Sequence, residues 1–91
     1  MNGFELLIDP QQLLVVAFLD DDGSMRTLLA ITCRYLPVMS STGIPSVGIE
    51  VVSDPTHPNP VEPYYCTPQN LHRTLIAPVR VRSIRPYHQQ G

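Results

Sequence analysis

Between Leu13 and Leu36 the chain carries an unbroken apolar run, Leu13 to Leu19, then Asp20-Asp21-Asp22-Gly23-Ser24, then a second largely apolar stretch beginning at Met25. This pattern predicts a β-hairpin, because Asp22-Gly23 supplies the positive φ of a tight turn and aspartates that bond free backbone N–H groups. In the second arm Met25, Thr27, Leu29, Ile31, Cys33 and Tyr35 share one parity and Arg26, Leu28, Ala30, Thr32, Arg34 and Leu36 the other. One face is therefore apolar and one mixed, as in a half-buried strand. The first arm has no polar parity, so a strand there must be covered on both sides. The alternative is α+β, with a helix at residues 10–20 that uses Asp9 as N-cap, Pro10 as first helical residue and Gln12 as capping-box partner. Val15, Val16 and Phe18 favour strand.

The same reading places a short first strand at Phe4 to Ile8, stopped by Asp9-Pro10. Pro37 is expected to end the third strand, leaving Val38 to Ser46 as a polar, mobile loop. Val47, Ile49 and Val51 alternate with Gly48 and Glu50, which predicts a fourth strand and makes Glu50 a cross-strand partner for Arg26 or Arg34. Asp54 to Pro68 holds five of the ten prolines and is expected to be extended, and either functional or disordered, with Tyr64, Tyr65 and Cys66 packing its far end down. Thr67-Pro68 then signals one helical or 3₁₀ turn over Gln69 to Arg73. The last strand is expected from Leu75 to Ile84, with Val79 and Val81 facing in, Arg80 and Arg82 facing out, and an irregularity near Ser83. Arg85 to Gly91 reads as a polar tail. The order of elements predicts a mainly β, single-domain fold over residues 1–91, a small five-stranded SH3-like or partly open barrel. Such a fold specifies no activity.

Composition sharpens this in two respects. Ninety-one residues support only a small core, while the hairpin offers apolar groups to both of its faces. Burial against a second copy would resolve that surplus, so a dimer through Leu14, Val16, Phe18 and Leu28 is expected. The net charge of −2 opposes a wholly electrostatic nucleic-acid binder. The charges are segregated, however: five of the eight acids lie in the first 22 residues, and none follows Glu62. All six basic residues are arginine, which fits bidentate recognition and equally a GC-rich bacterial genome. Two cysteines and no basic n-region or membrane-length apolar run point to reduced thiols in the cytoplasm.

Candidate chemistry is sparse. Cys66 with His72 would serve as nucleophile and base only if brought within hydrogen-bond reach, and no orienting third residue is evident. Zinc held by His57, Cys66, His72 and Cys33 would need three separated segments without metal-ligand spacing. The acidic turn Asp20 to Asp22 lacks a cation-binding loop pattern. The expectation is therefore a non-enzymatic binding or adaptor module without cofactor or metal. It would contact a protein or small ligand through His57, Tyr64, Tyr65, His72, Arg73, Arg80, Arg82 and Arg85. A nucleic-acid-contacting barrel that uses the arginine strand, with Tyr87 and His88 nearby, is the alternative.

Overall fold

The hairpin forms as its pattern dictates, with β2 (Leu14–Leu19) pairing antiparallel to β3 (Met25–Met39) across the acidic turn. The computed structural model describes residues 4–88, and the expected tail beyond His88 lies outside them. The remaining strands are β1 (Leu6–Ile8), β4 (Pro45–Ser53), β5 (Tyr64–Cys66), β6 (His72–Ile76) and β7 (Val81–Pro86). Single 3₁₀ turns occupy Pro10–Gln12, Pro68–Asn70 and Pro78–Arg80. The mainly β class is therefore as the sequence indicates, in seven strands where five were expected.

Five strands form one antiparallel sheet in the order β6-β4-β3-β2-β7. Its edges, β6 and β7, are joined only by residues 77–80. Flat strands ~4.8 Å apart would hold those edges ~19 Å from one another, beyond the reach of a 3₁₀ turn rising ~2 Å per residue. The sheet must therefore curl, although β6 and β7 do not pair and it is not closed into a barrel. Val16, Phe18, Ala30, Ile49, Val51 and Ile76 fill the inside of the curl, with Leu14, Leu28, Cys33 and Val81 packed against them.

Two irregularities set which side chains face that core. Between Ala30 and Thr32 the pairing of β3 with β4 shifts by one residue, so inward parity passes from Leu28 and Ala30 to Cys33. Leu29 and Ile31 point the other way. The nominally mixed parity of β3 is thus the core face of its first half. The second shift, opposite Ala17 and Phe18, leaves Arg82 without a partner residue and confirms the expected break near Ser83.

A second layer covers the outside of the hairpin. β1 pairs with β5 in a separate two-stranded sheet, and Ile8, Leu13 and Cys66 pack there with Leu29, Ile31, Tyr64, Leu71 and Tyr87. Every residue from Leu13 to Leu19 is buried or half-buried. This corrects the expected dimer interface: Val16 and Phe18 are core residues, and Leu14 and Leu28 pack against them. The chain shields its own apolar run by doubling back across it.

Other expectations change for local reasons. Asp9 does cap a turn, its Oδ1 accepting from Gln11 N–H at 2.9 Å, but Pro10–Gln12 makes only one 3₁₀ turn before β2 begins. Pro37 does not end β3. Beyond Ala30 that strand has no neighbour among the described residues on the side away from β4, so a missing N–H costs no ladder bond. The expected loop 38–46 shrinks to a turn at residues 40–44. Pro78 divides the expected last strand in two, and Val79 lies exposed on the turn between the halves instead of facing in. Tyr87 is drawn from the expected tail by its N–H donating to Leu13 O at 2.9 Å.

The turns of the two hairpins are alike. Gly23 N–H donates to Asp20 O and Asp20 N–H to Ser24 O, while Gly43 N–H donates to Ser40 O and Ser40 N–H to Ile44 O. The glycines have φ of 83° and 80°, as in three-residue hairpin loops that close with a left-handed residue. A Cβ at either position meets nothing within 4 Å, so substitution tests backbone strain alone. Gly23→Ala and Gly43→Ala are each expected to lower the unfolding free energy by about 1 kcal/mol in urea titrations. Unchanged midpoints would show that these turns relax freely.

Candidate functional site

The proline-rich stretch turns back at once on Asp54, whose side chain is fully shielded from solvent. Its Oδ1 accepts from Thr56 N–H at 3.0 Å and from the Thr56 hydroxyl, which is how an aspartate imposes a turn on the residues that follow it. His57 N–H donates to Asp54 O, and His57 Nδ1 lies 3.2 Å from Asp54 Oδ2 and 3.0 Å from Thr56 Oγ1. Because the Thr56 hydroxyl hydrogen is given to Asp54, Nδ1 must carry the hydrogen in these contacts. The imidazole then stacks on Tyr64, ring centroids 3.9 Å apart. Thus the sequence-predicted His57 and Tyr64 come together, with His57 as a half-buried clasp.

Electrostatics follow from this burial. Burial by itself pushes the Asp54 carboxyl up, but the bonds from Thr56, Cys66 and His57 prevail and hold it below the ordinary carboxylate range. Cys66 is 1% exposed and its thiol donates to Thr67 O. Burial, and then the neighbouring Asp54 carboxylate, push that thiol up to about 11. Burial first and the Asp54 charge second push the Tyr64 phenol up to about 12. A thiol held protonated in this way is no nucleophile. The third group near Cys66 is Asp54, while His72 sits exposed at the start of β6 across from Ser53. Cys66 and His72, weighed in the sequence as a nucleophile and base but lacking a third orienting group, make no hydrogen bond to one another. Among the described residues no cluster of three or more His, Cys, Asp or Glu is placed to hold a metal.

The turn at Asp54 forms one wall of a cleft of about 310 Å³ on the outer face of the hairpin. Val15, Leu29 and Tyr87 give it apolar surface, Pro55 and Pro58 face them from the loop, and Thr27, Ser53 and Asn59 contribute polar groups. A mostly apolar concavity with a few converging polar groups is the usual form of a small-ligand site. Tyr65, expected beside Tyr64, is 62% exposed on β5, as alternation along a strand requires.

The arginines are dispersed. Glu50 binds two of them, Arg34 Nε at 3.0 Å and Arg73 Nη1 at 3.5 Å. Arg80 pairs with Asp21 across the sheet, Arg26 with Asp20 at 3.1 Å, and Arg82 donates to Val79 O at 2.9 Å. Arg80 lies on the turn before β7, so Arg80 and Arg82 do not form the single outward strand face expected of them. Arg85 differs, standing directly across from Val15 on β7 and thus ~5 Å by Cβ from the floor of the cleft. A larger cleft, about 600 Å³, opens beside the acidic turn between Phe18, Leu28, Ile76 and Ala77, with both the Arg26–Asp20 and Arg80–Asp21 pairs at its rim. Its charged groups already satisfy one another. The role of Tyr87 in the smaller cleft was not legible in the sequence, since it depends on a backbone bond to Leu13 and on packing against the Ile8, Leu13 and Cys66 cluster, partners far along the chain. No helix among the described residues is long and apolar enough to cross a membrane. Searches of family models, curated proteins and solved structures return no match.

Proposed function

We propose that this protein is a non-enzymatic binding module whose site is the cleft between the proline-rich loop and the outer face of the hairpin. The observation that carries this reading is the wall itself: Pro55 and Pro58, held by the Asp54 turn, stand opposite Val15, Leu29 and Tyr87. Fixed φ at the prolines keeps that wall in place before any ligand arrives, which lowers the entropy cost of binding. At about 310 Å³ the cleft suits a small, largely apolar molecule or one apolar side chain of a partner protein. Arg85, beside Val15, is placed to meet a carboxylate at one end of that ligand.

The strand order β6-β4-β3-β2-β7, with a 3₁₀ turn between the last two strands, supports reading the scaffold as a partly open, SH3-like barrel. Free Cys33 and Cys66 are consistent with a reducing cytoplasmic setting. Nucleic-acid contact through Arg73, Arg80, Arg82 and Arg85 is the second reading, and it is the less favoured because Arg73 and Arg80 pair with carboxylates and Arg82 with Val79 O.

The test is an amide-detected fragment titration with benzoate and with its neutral amide. Saturable shifts are expected at Val15, Thr27 to Leu29, Ser53 to Asn59 and Tyr87. Tyr87→Ala should weaken both probes about tenfold, and Arg85→Gln should remove only the preference for the carboxylate. Shifts centred on the larger cleft, or equal weakening by Arg73→Gln, would overturn the assignment.

A further inference from the structure

The far end of the β3–β4 hairpin leaves the body of the protein. β2 pairs with β3 only as far as Ala30, and β6 pairs with β4 only from Ile49 onward. Between them β3 and β4 continue as a two-stranded arm, with Tyr35 opposite Ile49, Pro37 opposite Val47 and Met39 opposite Pro45. Residues directly opposite share a face, and this is the face that carries Cys33, Ile49 and Val51 into the core. Past Ile49 its covering ends. Tyr35 is 70% exposed, Met39 70% and Val47 50%, with Pro37 and Pro45 exposed between them. The other face is better covered: Gly48 is buried beneath the side chain of Leu75, whose Cδ1 would come within 2.7 Å of a Cβ there, and Leu36 and Val38 are half-buried.

We infer that the exposed face of this arm is a self-association surface, on which a second copy lays its own arm face to face. Three observations select that occupant. Residues 35–49 contain no charged side chain, so a two-fold contact sets like surfaces together without repulsion, whereas a foreign partner is normally selected by complementary charges around the contact. Pro37 and Pro45 lie on the two strands of the arm, and proline opposes the addition of further strands edge to edge, so association stops at a closed pair. The area fits as well. At ~200 Å² for a fully exposed large side chain, Tyr35, Met39, Val47 and the two prolines offer about 500 Å² per arm, or about 1,000 Å² for the pair. That is below the ~1,600 Å² of a standard stable interface and sets a reversible dimer.

Sedimentation equilibrium of the full chain from about 10 µM to 1 mM provides the test. The mass is expected to rise from the 10.2 kDa of one chain toward twice that value, mostly dimer at the upper end. Met39→Glu combined with Val47→Glu should hold the monomer mass throughout, with an unchanged thermal unfolding midpoint. Concentration-dependent amide shifts of the unsubstituted protein should be confined to residues 35–47, which decides the matter even if the doubly substituted arm unfolds. A constant monomer mass, a dimer indifferent to both substitutions, or shifts centred elsewhere would overturn the inference. So would a monomer that sediments with neutral phosphatidylcholine vesicles through this face, since the occupant would then be lipid.

Discussion

Asp54→Ala is expected to lower the unfolding free energy by about 3 kcal/mol and to abolish binding in the cleft. The carboxylate satisfies Thr56 N–H, the Thr56 hydroxyl and His57 Nδ1 in a position shielded from water. Its removal strands those donors in the interior and leaves a void, and breaking a buried charged network of this kind costs a few kcal/mol. The loss propagates, because His57 holds its stack on Tyr64 only while Nδ1 is anchored, and Pro55 and Pro58 hold the wall only while the turn does. Asp54→Asn keeps the shape and one amide oxygen for Thr56 and should cost roughly half as much. The carboxyl is held below its ordinary value, so its stabilisation is complete above about pH 4 and disappears as pH falls through the lower, folded value. Urea titrations at pH 7 and pH 3 check both statements. A loss under about 1 kcal/mol in the alanine variant at pH 7, or the same loss at both pH values, would show that the carboxylate does not organise the loop.

The parts of this fold that follow local rules could be read from the residues. Asp22-Gly23 marks its hairpin because only glycine accepts the φ of 83° found there. Asp9-Pro10 marks a turn because cap and fixed φ act within three residues, and Arg34 with Glu50 follows from strand alternation. What could not be read depends on partners far along the chain. The shift at Ala30 exchanges the faces of β3 only because β4 must pair across it, so strict alternation put Leu28 outside when it packs on the core. The surplus of apolar surface at Leu13 to Leu19 invited a partner molecule, yet β1 and β5, three residues each and separated by 55 residues, supply the cover. Pro37 reads as a strand end until one knows that its free side faces no neighbour among the described residues. The candidate site divides similarly. The proline-rich loop announces itself by composition, whereas the opposing wall of Val15, Leu29 and Tyr87 exists only once three strands are assembled.

Raising the pH should destabilise the protein through the same cluster. Cys66 titrates at about 11 when folded against an ordinary thiol value of 9.0, so the folded state holds the proton more tightly than the unfolded chain does. Stability from this group is complete below about pH 9 and is lost as pH rises through about 11, up to a total on the order of 2–3 kcal/mol for a shift of two units. Tyr64, displaced in the same direction to about 12 from 10.0, extends the loss to higher pH. The cause is geometric, since a thiolate at Cys66 would sit in the interior next to the Asp54 carboxylate, with its bond to Thr67 O gone. Thiolate absorbance followed against pH in the folded protein should therefore rise late, in step with loss of β structure, and Cys66 should resist alkylation at pH 8. Cys66→Ser keeps a donor for Thr67 O but has no proton to lose in this range, so its stability should fall less than that of the parent chain between about pH 8 and pH 10, the remaining decline coming from Cys33, whose thiol burial also pushes up. If the thiol instead titrates near 9 with the sheets intact, the layer formed by β1 and β5 admits water, and the scaffold of the cleft is looser than its packing implies.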